Sequence, residues 1–499
     1  MSTVIPEQTQ SPLILSLDVG SSGVRAVLFD VQGRAVEGVD ARVSYAFRTT
    51  PDGGSEIDAA HLADCVWRCL DQITERASAL QLSVDAVAVD TFVTNVMGVD
   101  ADGQPVTPLT TYADTRSAAD AAALRAELEE NEVHRRTGCR LHTSYLPARF
   151  RWYARTQPDV FARAERWISI GEYLEAQLFG ETAVTYSVAS WTGLLHRRAL
   201  SWDAAMLTAL PLTASHLSPL TDVDRPRRGL RETFAERWPM LQDIPWFPAV
   251  GDGVAANVGS GCVTPHRVAL TVGTTSALRV IVTGAPVDIL AGLWCYRVDR
   301  RRSLLGGALS EGGSVYAWMR DTLRLDDPAA VEAALADMAP DAHGLTVLPF
   351  WAGERSPGWA GDARAVVQGL SLATQPIEVL RAGLEAVAYR LGLVFDQLRS
   401  ETPTDACVVV SGAALPASPV WLQIVADVLN QPLIVSEVQE TTARGVALLA
   451  LEALGAVPNL ESVPTFEGAA ISPDAEGHEI YRRAMARQRA LYDRLIGSL

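Results

Sequence analysis

Two short turns in this sequence combine glycine with hydroxyl side chains, and such turns can bind phosphate. Glycine lets the backbone approach a ligand closely, and successive N–H groups form a concave site for an anion. The hydroxyls add hydrogen-bond donors without adding charge. The turn residues are Gly20, Ser21 and Ser22 in the first turn and Gly273, Thr274 and Thr275 in the second. Together the two turns could hold a polyphosphate from both sides of a cleft.

A carboxylate precedes the first turn by two residues. Asp18 could hold a Mg²⁺ ion, directly or through water, against the phosphates of a nucleotide. The alternative is an aspartate that stabilises the turn itself. The position therefore predicts either a metal ligand or a structural residue.

Each turn lies between two apolar runs, a pattern that predicts a β-hairpin. The first hairpin spans residues 13–30 and the second spans residues 266–283. Aligning Asp18 with Thr271 gives an offset of 253 residues, and the same offset aligns Gly20 with Gly273. A repeat of about half the chain predicts two similar domains rather than a solenoid.

Helical and strand-like patterns alternate along the rest of the chain, which predicts an α/β fold. The predicted helices cover residues 59–80, 118–130, part of 158–179, 377–398, 419–430 and 445–454, and the predicted strands cover 84–89 and 406–410. The glycine-rich stretch 251–261 is the expected boundary between the halves. We therefore predict one domain over residues 12–257 and another over residues 258–485.

The composition narrows the possible chemistry. The 499 residues exceed the ~250–300 that one hydrophobic core supports, so two or three domains are expected. The sequence contains no lysine, which excludes a P-loop, a protein-kinase site and Schiff-base or pyridoxal-phosphate chemistry. A net charge of −17 argues against binding to nucleic acid or to anionic lipid.

The chain reads as cytoplasmic, with reduced thiols. It begins without a basic, apolar leader, and no run reaches the ~18 apolar residues of a membrane helix. Cys65 and Cys69 have the i, i+4 spacing of metal ligands on a helix. No histidine or second cysteine pair follows at zinc spacing, so packing is the favoured interpretation.

Five segments, in order along the chain, resemble the FGGY family of carbohydrate kinases. They begin with Asp18-Val-Gly-Ser-Ser-Gly-Val-Arg25, Gly251-Asp-Gly-Val-Ala-Ala-Asn-Val-Gly259 and Val272-Gly-Thr-Thr275, and continue with Pro349–Pro357 and Thr442–Leu449. The resemblance runs from about residue 13 to about residue 455. It implies two ribonuclease-H-like domains of the actin/hexokinase type around a central cleft. It also implies ATP and Mg²⁺, with a sugar or sugar acid as the acceptor.

Within the family, several segments look most like gluconokinases, and they include Thr111–Arg116, Ile168–Tyr173 and Tyr186–Gly193. This implies ATP-dependent phosphorylation of a terminal hydroxyl, with D-gluconate as first choice and a ketopentose such as xylulose as second. Where relatives usually carry a histidine that touches the sugar, this chain has Thr94 and Asn95. The adenosine loop also departs, because two adjacent glycines are usual where this chain has Gly412 and Ala413 or, one residue on, Ala413 and Ala414.

The resemblance implies a role for each motif. Asp252 is expected to be the base that takes a proton from the attacking hydroxyl, although it could also cap the following helix or belong to a weak dinucleotide fingerprint. The expected sugar-binding residues are Asp114, Arg116, Thr94, Asn95, His142 and Ser144. The expected nucleotide-binding residues are Gly20, Ser21, Ser22, Arg25, Gly273, Thr274, Thr275, Gly412 and Ala413, and Asp18 is the expected metal ligand.

Some alternatives stay open at this point. Arg116 could pair with Asp114 or bind a substrate carboxylate. Glu354 and Arg355 could line the cleft or form a loop ion pair. The chain could also be a sugar-sensing actin-fold protein without turnover, which would need no base at Asp252, or a nicotinamide-dependent dehydrogenase. A homodimer is compatible with the sequence but is not indicated by it.

Overall fold

The computed structural model describes residues 2–285 and 288–497. We call residues 2–259 the first half and the described residues from 260 onward the second half. Each half is built on one large β-sheet with helices packed against it, so the predicted α/β class is confirmed.

The elements of the first half alternate between strands and helices. Its strands are β1 Thr3–Val4, β2 Ile14–Gly20, β3 Gly23–Phe29, β4 Ala35–Ser44, β5 Arg48–Thr49, β6 Ser55–Ile57, β7 Ala86–Thr91, β8 Met97–Val99, β9 Leu109–Thr110, β10 Arg166–Ile168, β11 Val184–Thr185, β12 Leu195–His196, β13 Ser201–Trp202, β14 Leu220–Thr221 and β15 Trp246–Gly251. Its helices are α1 Ala59–Ala79, α2 Ala118–Glu127, α3 Glu130–Thr137, α4 Leu146–Thr156, α5 Pro158–Arg163, α6 Ile170–Phe179, α7 Tyr186–Ser190, α8 Ala204–Thr208, α9 Glu232–Arg237 and α10 Asp252–Gly259.

The second half repeats this alternation with longer helices. Its strands are β16 Arg267–Val272, β17 Ser276–Thr283, β18 Trp294–Arg297, β19 Arg302–Leu309, β20 Thr346–Leu348, β21 Val366–Gln368, β22 Cys407–Ser411, β23 Leu433–Ser436 and β24 Glu467–Ile471. Its helices are α11 Gly313–Thr322, α12 Pro328–Ala336, α13 Pro376–Leu398, α14 Pro419–Leu429, α15 Thr441–Ala453 and α16 Ala475–Leu495. Short 3₁₀ helices lie at Pro6–Gln8, Ala214–His216, Pro239–Leu241 and Leu460–Ser462.

The two large sheets share a core of five strands, whereas their outer strands β1, β18 and β24 pair differently. The first has the order β1-β4-β3-β2-β7-β15, and the second has the order β18-β19-β17-β16-β22-β23-β24. In each sheet a hairpin, β2–β3 or β16–β17, is followed by a strand that pairs in parallel with its first arm. Both predicted hairpins are therefore confirmed, and the 253-residue repeat corresponds to equivalent strands.

Helix α1 follows the predicted apolar period. Leu62, Val66, Leu70 and Ile73 are buried on one face and pack in the core of the first sheet. The Asp58 carboxylate accepts a hydrogen bond from the His61 N–H and begins the helix. Cys65 and Cys69 are buried in the same core, in keeping with packing rather than metal binding.

One predicted helix is shorter in the structure, and another is confirmed within a longer stretch. The predicted helix 118–130 ends at Glu127 and a new helix, α3, begins at Glu130. The predicted stretch 158–179 contains α5, strand β10 and then α6. Ser169 and Glu172 form a capping box that starts α6, so the chain must leave the helical conformation before Ser169.

Helices α10 and α15 join the two halves through close backbone contact. A Cβ atom on Gly259 would lie 1.7 Å from the Thr441 carbonyl oxygen, and one on Gly445 would lie 1.8 Å from that of Ala255. Only glycine fits at these two positions. The expected boundary stretch 251–261 is therefore mostly the packed helix α10. Among the described residues, no helix is both long and apolar enough to cross a bilayer.

Candidate active site

Three carboxylates lie at the carboxyl ends of three neighbouring strands in the first sheet. Asp18 is near the end of β2, Asp90 is near the end of β7, and Asp252 directly follows β15. Asp18 pairs in register with Asp90, and Asp90 pairs in register with Val250. In open α/β sheets, ligands bind in the crevice outside these strand ends. The sheet therefore brings the predicted base and the predicted metal ligand to one edge.

Asp252 is the first residue of α10, and Gly251 rather than Asp252 occupies the N-cap. Its Oδ1 accepts a hydrogen bond from the Gly253 N–H at 2.8 Å. Burial raises the pKa of Asp252 to about 6, opposed by that hydrogen bond and by the nearby Arg279 guanidinium. At neutral pH the carboxylate is therefore ionised and only weakly stabilised, as a general base requires.

Asp18 faces a shared cation. The Arg25 Nη1 atom lies 4.0 Å from an oxygen of Asp18 and 3.2 Å from an oxygen of Glu440, which precedes α15. Burial raises the pKa of Asp18 to about 6, and the charges of Asp252 and Glu440 add to the rise. Arg25 is thus already paired with carboxylates, although its predicted contact with phosphate stays a prediction.

Asp90 was not singled out from the sequence, and it is completely buried. Neither of its oxygens receives a hydrogen bond from the described chain, and its carboxyl group lies beside that of Asp18. Burial and the charges of Asp18 and Asp252 hold its pKa well above the usual range. Two adjacent carboxyl groups, one without a donor, fit a Mg²⁺ ion, which prefers oxygen ligands. In the sequence, Asp90 could have been recognised as a charged residue at the end of an apolar run that predicts a buried strand.

The first predicted phosphate turn presents its hydroxyls to the cleft edge. Ser21 and Ser22 are exposed, while the Gly20 carbonyl accepts a hydrogen bond from the Tyr45 hydroxyl. The second turn is similar, because Thr274 and Thr275 are exposed and the Gly273 N–H donates to the Thr275 carbonyl at 2.9 Å. Both turns therefore keep hydroxyl donors free for a ligand.

Two further glycine segments surround the second turn. The N–H of Gly313, at the start of α11, donates to the Gly273 carbonyl at 2.7 Å. Gly412 has φ +87°, and a Cβ atom there would lie 2.5 Å from the Val272 carbonyl. Gly412 and the neighbouring Ala413 are both exposed, and their contact with a nucleotide stays a prediction. Gly313 was not predicted as a site residue. The Gly312-Gly313 pair stands before a helical pattern, and such a position indicates a helix N-terminus that can bind an anion.

The loop after β7 is held by protein contacts. Thr94 is buried at φ +55°, a conformation that strains a β-branched residue, and its carbonyl accepts from the Arg149 Nη1 at 2.8 Å. The Asn95 amide donates to the Phe92 carbonyl and accepts from the Ile170 N–H at 2.8 Å. Asn95 therefore positions the loop, and sugar contacts of Thr94 and Asn95 stay predictions.

Asp114 and Arg116 form an ion pair with each other, and Arg116 also reaches Glu56 at 3.0 Å. The guanidinium stacks over Trp152, 4.5 Å from the ring centroid. Of the two roles considered for Arg116, the structural pair is the one observed. Asp114 is buried, and Ser55 also donates to it, so a bond from Asp114 to a sugar hydroxyl stays a prediction.

His142 and Ser144 lie where the halves approach each other. The His142 Nδ1 accepts from the Ser144 N–H at 3.1 Å, and the ring packs edge-on against Trp359, 5.9 Å away. Burial lowers the pKa of His142 to about 4, and Arg355 adds to the effect, so the ring is neutral. A neutral imidazole suits hydrogen bonding to a sugar better than proton transfer at pH 7.

Two arginines lie in the cleft without an ion pair in the described part of the chain. Arg279 on β17 donates to the Thr271 hydroxyl at 3.2 Å, and a Cβ atom on Gly253 would lie 3.9 Å from its Nε. Arg355 donates to the Leu309 carbonyl at 2.6 Å. Burial lowers the pKa of Arg355, whereas the neighbouring Tyr112 and Tyr145 favour its charged form.

Glu354 has a structural role that differs from that of its neighbour Arg355. It is buried and paired with Arg390, and it accepts a hydrogen bond from the Tyr492 hydroxyl at 2.7 Å. The loop ion pair considered for this segment therefore belongs to Glu354. Arg355 is the residue that faces the cleft.

Comparison with known proteins identifies similar chains along almost the whole length. The N-terminal domain model of the FGGY family of carbohydrate kinases matches residues 13–259, and its C-terminal domain model matches residues 268–454. A gluconokinase from Bacillus subtilis is 28% identical over 485 residues, covering 95% of this chain and 94% of the relative. A glycerol kinase from Rhodospirillum centenum is 28% identical over 459 residues, covering 88% of this chain and 89% of the relative.

Solved structures share the fold. A ligand-bound xylulose kinase and a gluconate kinase, both from Lactobacillus acidophilus, each superpose with a TM-score of 0.90 at 24% identity. Each covers 97% of this chain, and the matches span 99% and 98% of those chains. The likeness extends through both halves and the cleft between them.

Proposed function

The chain belongs to the FGGY family of carbohydrate kinases and is an ATP-dependent sugar kinase, and we propose that its acceptor is a sugar acid, with D-gluconate as first choice. The gluconokinase relatives support this choice. The alternative acceptor is a ketopentose such as xylulose, and the structural similarity to a xylulose kinase supports it.

The observation that carries this proposal is Arg355. Its guanidinium lies beside Tyr112 and Tyr145 and forms no ion pair in the described chain. The neighbouring carboxyl group is that of Glu311, and burial raises its pKa to about 8, so at pH 7 it is mostly uncharged and does not neutralise Arg355. A guanidinium has five N–H donors arranged to fit a carboxylate, and burying one without a partner is unfavourable. A sugar acid would supply that partner, whereas xylulose has no charge to offer.

The proposed chemistry begins at Asp252. Its carboxylate accepts the proton of the sugar hydroxyl as the oxygen attacks the γ-phosphorus of ATP. A pKa of about 6 leaves it ionised at pH 7 while keeping it basic enough to take a proton. Arg279 stands beside this carboxylate, so its charge would act on the phosphoryl group in transfer.

The remaining residues bind and orient the nucleotide in this proposal. The two hydroxyl turns donate to phosphate oxygens, while the Gly312–Gly313 and Gly412–Ala413 segments contact the nucleotide through their backbone. Asp18 would hold Mg²⁺, which when bound neutralises phosphate charge. Asp114, His142 and Ser144 would orient the sugar, and closure of the halves would exclude water.

Further sequence-based assignments remain part of the proposal. These are the domain bounds 12–257 and 258–485 and a cytoplasmic location, which six cysteines without disulfides support. A homodimer also remains a proposal. Sedimentation velocity of the purified chain tests it, and a single species at the monomer mass would remove it.

A substrate panel tests the proposed acceptor. ADP formation is measured with ATP, Mg²⁺ and D-gluconate, D-xylulose or glycerol. We expect kcat/KM for gluconate to exceed that for xylulose by at least about 100-fold, since an unpaired polar group in the site rejects the neutral sugar. A preference for xylulose would replace gluconate as acceptor, and no sugar-dependent ADP would favour the sensor.

Arg355→Gln tests the residue that carries the proposal. We expect a loss of roughly 10- to 100-fold in kcat/KM for gluconate, the value of a charge-assisted hydrogen bond, and under about threefold for any xylulose activity. Arg364→Gln is the matched control, because Arg364 is exposed and, among the described residues, donates only to the Asp362 and Ala363 carbonyls. Equal losses with both sugars in Arg355→Gln would contradict carboxylate recognition.

A further inference from the structure

Asp90 occupies a position where a buried carboxyl group is costly. It is 0% exposed, no N–H group or hydroxyl of the described chain donates to its oxygens, and the group close enough to share a proton with it is the Asp18 carboxyl. Taking an isolated carboxylate out of water is strongly unfavourable, so such a group normally binds a proton or a cation. Nothing in the proposed kinase chemistry so far uses it.

At the equivalent position in the second sheet, two buried or partly buried polar side chains satisfy each other by a hydrogen bond. There, Thr271 and Ser411 pair in register on β16 and β22, and their hydroxyls are 3.0 Å apart in a hydrogen bond. Asp18 and Asp90 pair in the same way on β2 and β7. Two hydroxyls satisfy each other, whereas two carboxylates cannot do so without a shared positive charge.

The charges around the pair favour a cation. Asp252 acts on both carboxyl groups, and Arg25 lies 4.0 Å from Asp18 and closer to Glu440. Three carboxylates thus face two arginines: Arg279 lies near Asp252, and Arg25, near Asp18 and Asp90, is also bound by a fourth carboxylate, Glu440. Asp18 is 5% exposed, so the pair adjoins the cleft rather than the solvent-free core.

We propose that Asp90 and Asp18 together form a two-carboxylate site for a divalent cation, with Asp90 as a ligand of the metal that serves the kinase reaction. This inference rests on the Mg²⁺ role proposed above. It goes further by assigning a second protein ligand, because two carboxylates hold a cation more strongly than one. The protein therefore binds the metal before the nucleotide arrives, rather than receiving it only as the ATP complex.

Binding of Mn²⁺ to the nucleotide-free, sugar-free chain tests this proposal. Free Mn²⁺ is measured by its electron paramagnetic resonance signal during titration of the full-length protein. Mn²⁺ is the probe because its ligand preferences resemble those of Mg²⁺ and its affinity for such sites is higher. We expect one saturable site in the wild-type protein. No such site in the wild-type protein would overturn the proposal without recourse to any variant.

Two variants locate the site. Asp90→Asn keeps the shape but removes the charge, and Asp90→Ser copies the hydroxyl of the second sheet. We expect each to raise the Mn²⁺ dissociation constant at least about tenfold, and to raise the Mg²⁺ concentration for half-maximal activity. Unchanged Mn²⁺ affinity in a folded Asp90→Asn protein would overturn the proposal, because it would show that Asp90 only shares a proton with Asp18.

Asp341→Asn is the matched control. Asp341, His343 and Glu385 form another group of possible ligands, already paired with Arg487 and Arg381. We expect Asp341→Asn to bind Mn²⁺ like the wild-type protein, and loss of the site in this variant would overturn the assignment to Asp90. If Mn²⁺ binding depends on Asp90 while gluconate is not phosphorylated, the acceptor proposal fails and this inference stands.

Discussion

The two halves of the molecule place different chemistry on equivalent strands. At matched positions the first sheet has Asp18 and Asp90, and the second has Thr271 and Ser411. The hydroxyl pair is neutral and self-satisfied, whereas the carboxyl pair has raised pKa values caused mainly by burial. One fold, used twice, thus supplies charged groups from one half and neutral donors from the other.

The arginines of the two hairpins differ in the same way. Arg25, on the outgoing strand of the first hairpin, is paired with Glu440 of the second half. Arg279, on the outgoing strand of the second hairpin, bonds a hydroxyl and stands beside Asp252 of the first half. Each arginine reaches across to the other half. Arg25 forms an ion pair with Glu440, whereas Arg279 forms no ion pair in the described chain, so its charge is available to a ligand.

The largest expected effect comes from removing a charge from the first half. Asp252→Asn should reduce kcat by roughly 10²–10⁴-fold, the usual contribution of a general base. The Kd of a non-hydrolysable ATP analogue, measured by calorimetry, should stay within about twofold, because the proposed partner of Asp252 is the sugar hydroxyl and not the nucleotide. Asp243→Asn, an exposed carboxylate before β15, should be unaffected. Turnover near the wild-type value in Asp252→Asn would remove it as the base.

Lowering the pH should reduce activity as Asp252→Asn does, because both changes remove the negative charge of Asp252. The carboxylate form of Asp252 is the active one, and its pKa is about 6, so kcat/KM should fall as pH drops below 6. At pH 5 the loss should be about tenfold relative to the plateau. The neutral His142, with a pKa of about 4, should not contribute to this limb. A flat profile of kcat/KM between pH 5 and 7.5 would contradict this assignment.

A glycine substitution in the second half, whose donors are neutral, should have a smaller effect, on the KM for ATP. A Cβ atom at Gly313 would lie 2.7 Å from the Ala414 Cβ and 2.9 Å from the Gly273 carbonyl, so Gly313→Ala must shift the second turn. We expect the KM for ATP to rise about tenfold, equivalent to roughly 1.4 kcal/mol.

Gly20→Ala is the matched change in the first half. Its Cβ atom would meet its nearest neighbours at 3.4 Å, an ordinary contact, so we expect a rise of under about threefold in the KM for ATP. Steady-state kinetics at saturating sugar measures both variants. A larger effect at Gly20 than at Gly313 would reverse the division of roles between the halves.

Much of the fold follows from local patterns. The hairpins, the period of α1 and the 253-residue repeat depend on neighbouring residues, so the sequence predicts them well. The helices predicted at 377–398 and 419–430 appear as Pro376–Leu398 and Pro419–Leu429. The helix predicted within 158–179 around Glu172 appears as Ile170–Phe179, but the strand before it, which pairs with Met97–Val99, was not predicted. That pairing is a long-range contact that no local period records.

The site residues divide along the same line. Asp18, Asp252 and the two turns stand in recognisable motifs, so the sequence predicts them, and the structure places both carboxylates at one sheet edge. Asp90 stands in no recognised motif, and its significance comes from the register that sets it against Asp18. The ion pair of Arg116 with Asp114 was one of the two roles considered, and the further contacts of Arg116 with Glu56 and Trp152 are distant in sequence, so only the structure shows them.

By itself, the sequence determined that any fixed positive charge at the phosphates must come from a metal or from arginine, since the chain has no lysine. It also determined the repeat, the hydroxyl turns and the family. Only the tertiary structure decided which arginines remain available, because ion pairing depends on which carboxylates the fold brings within 4 Å. Arg25 forms an ion pair with Glu440 across the halves, whereas Arg279, which lies near Asp252, and Arg355, which lies near Glu311, form no ion pair within 4 Å in the described chain.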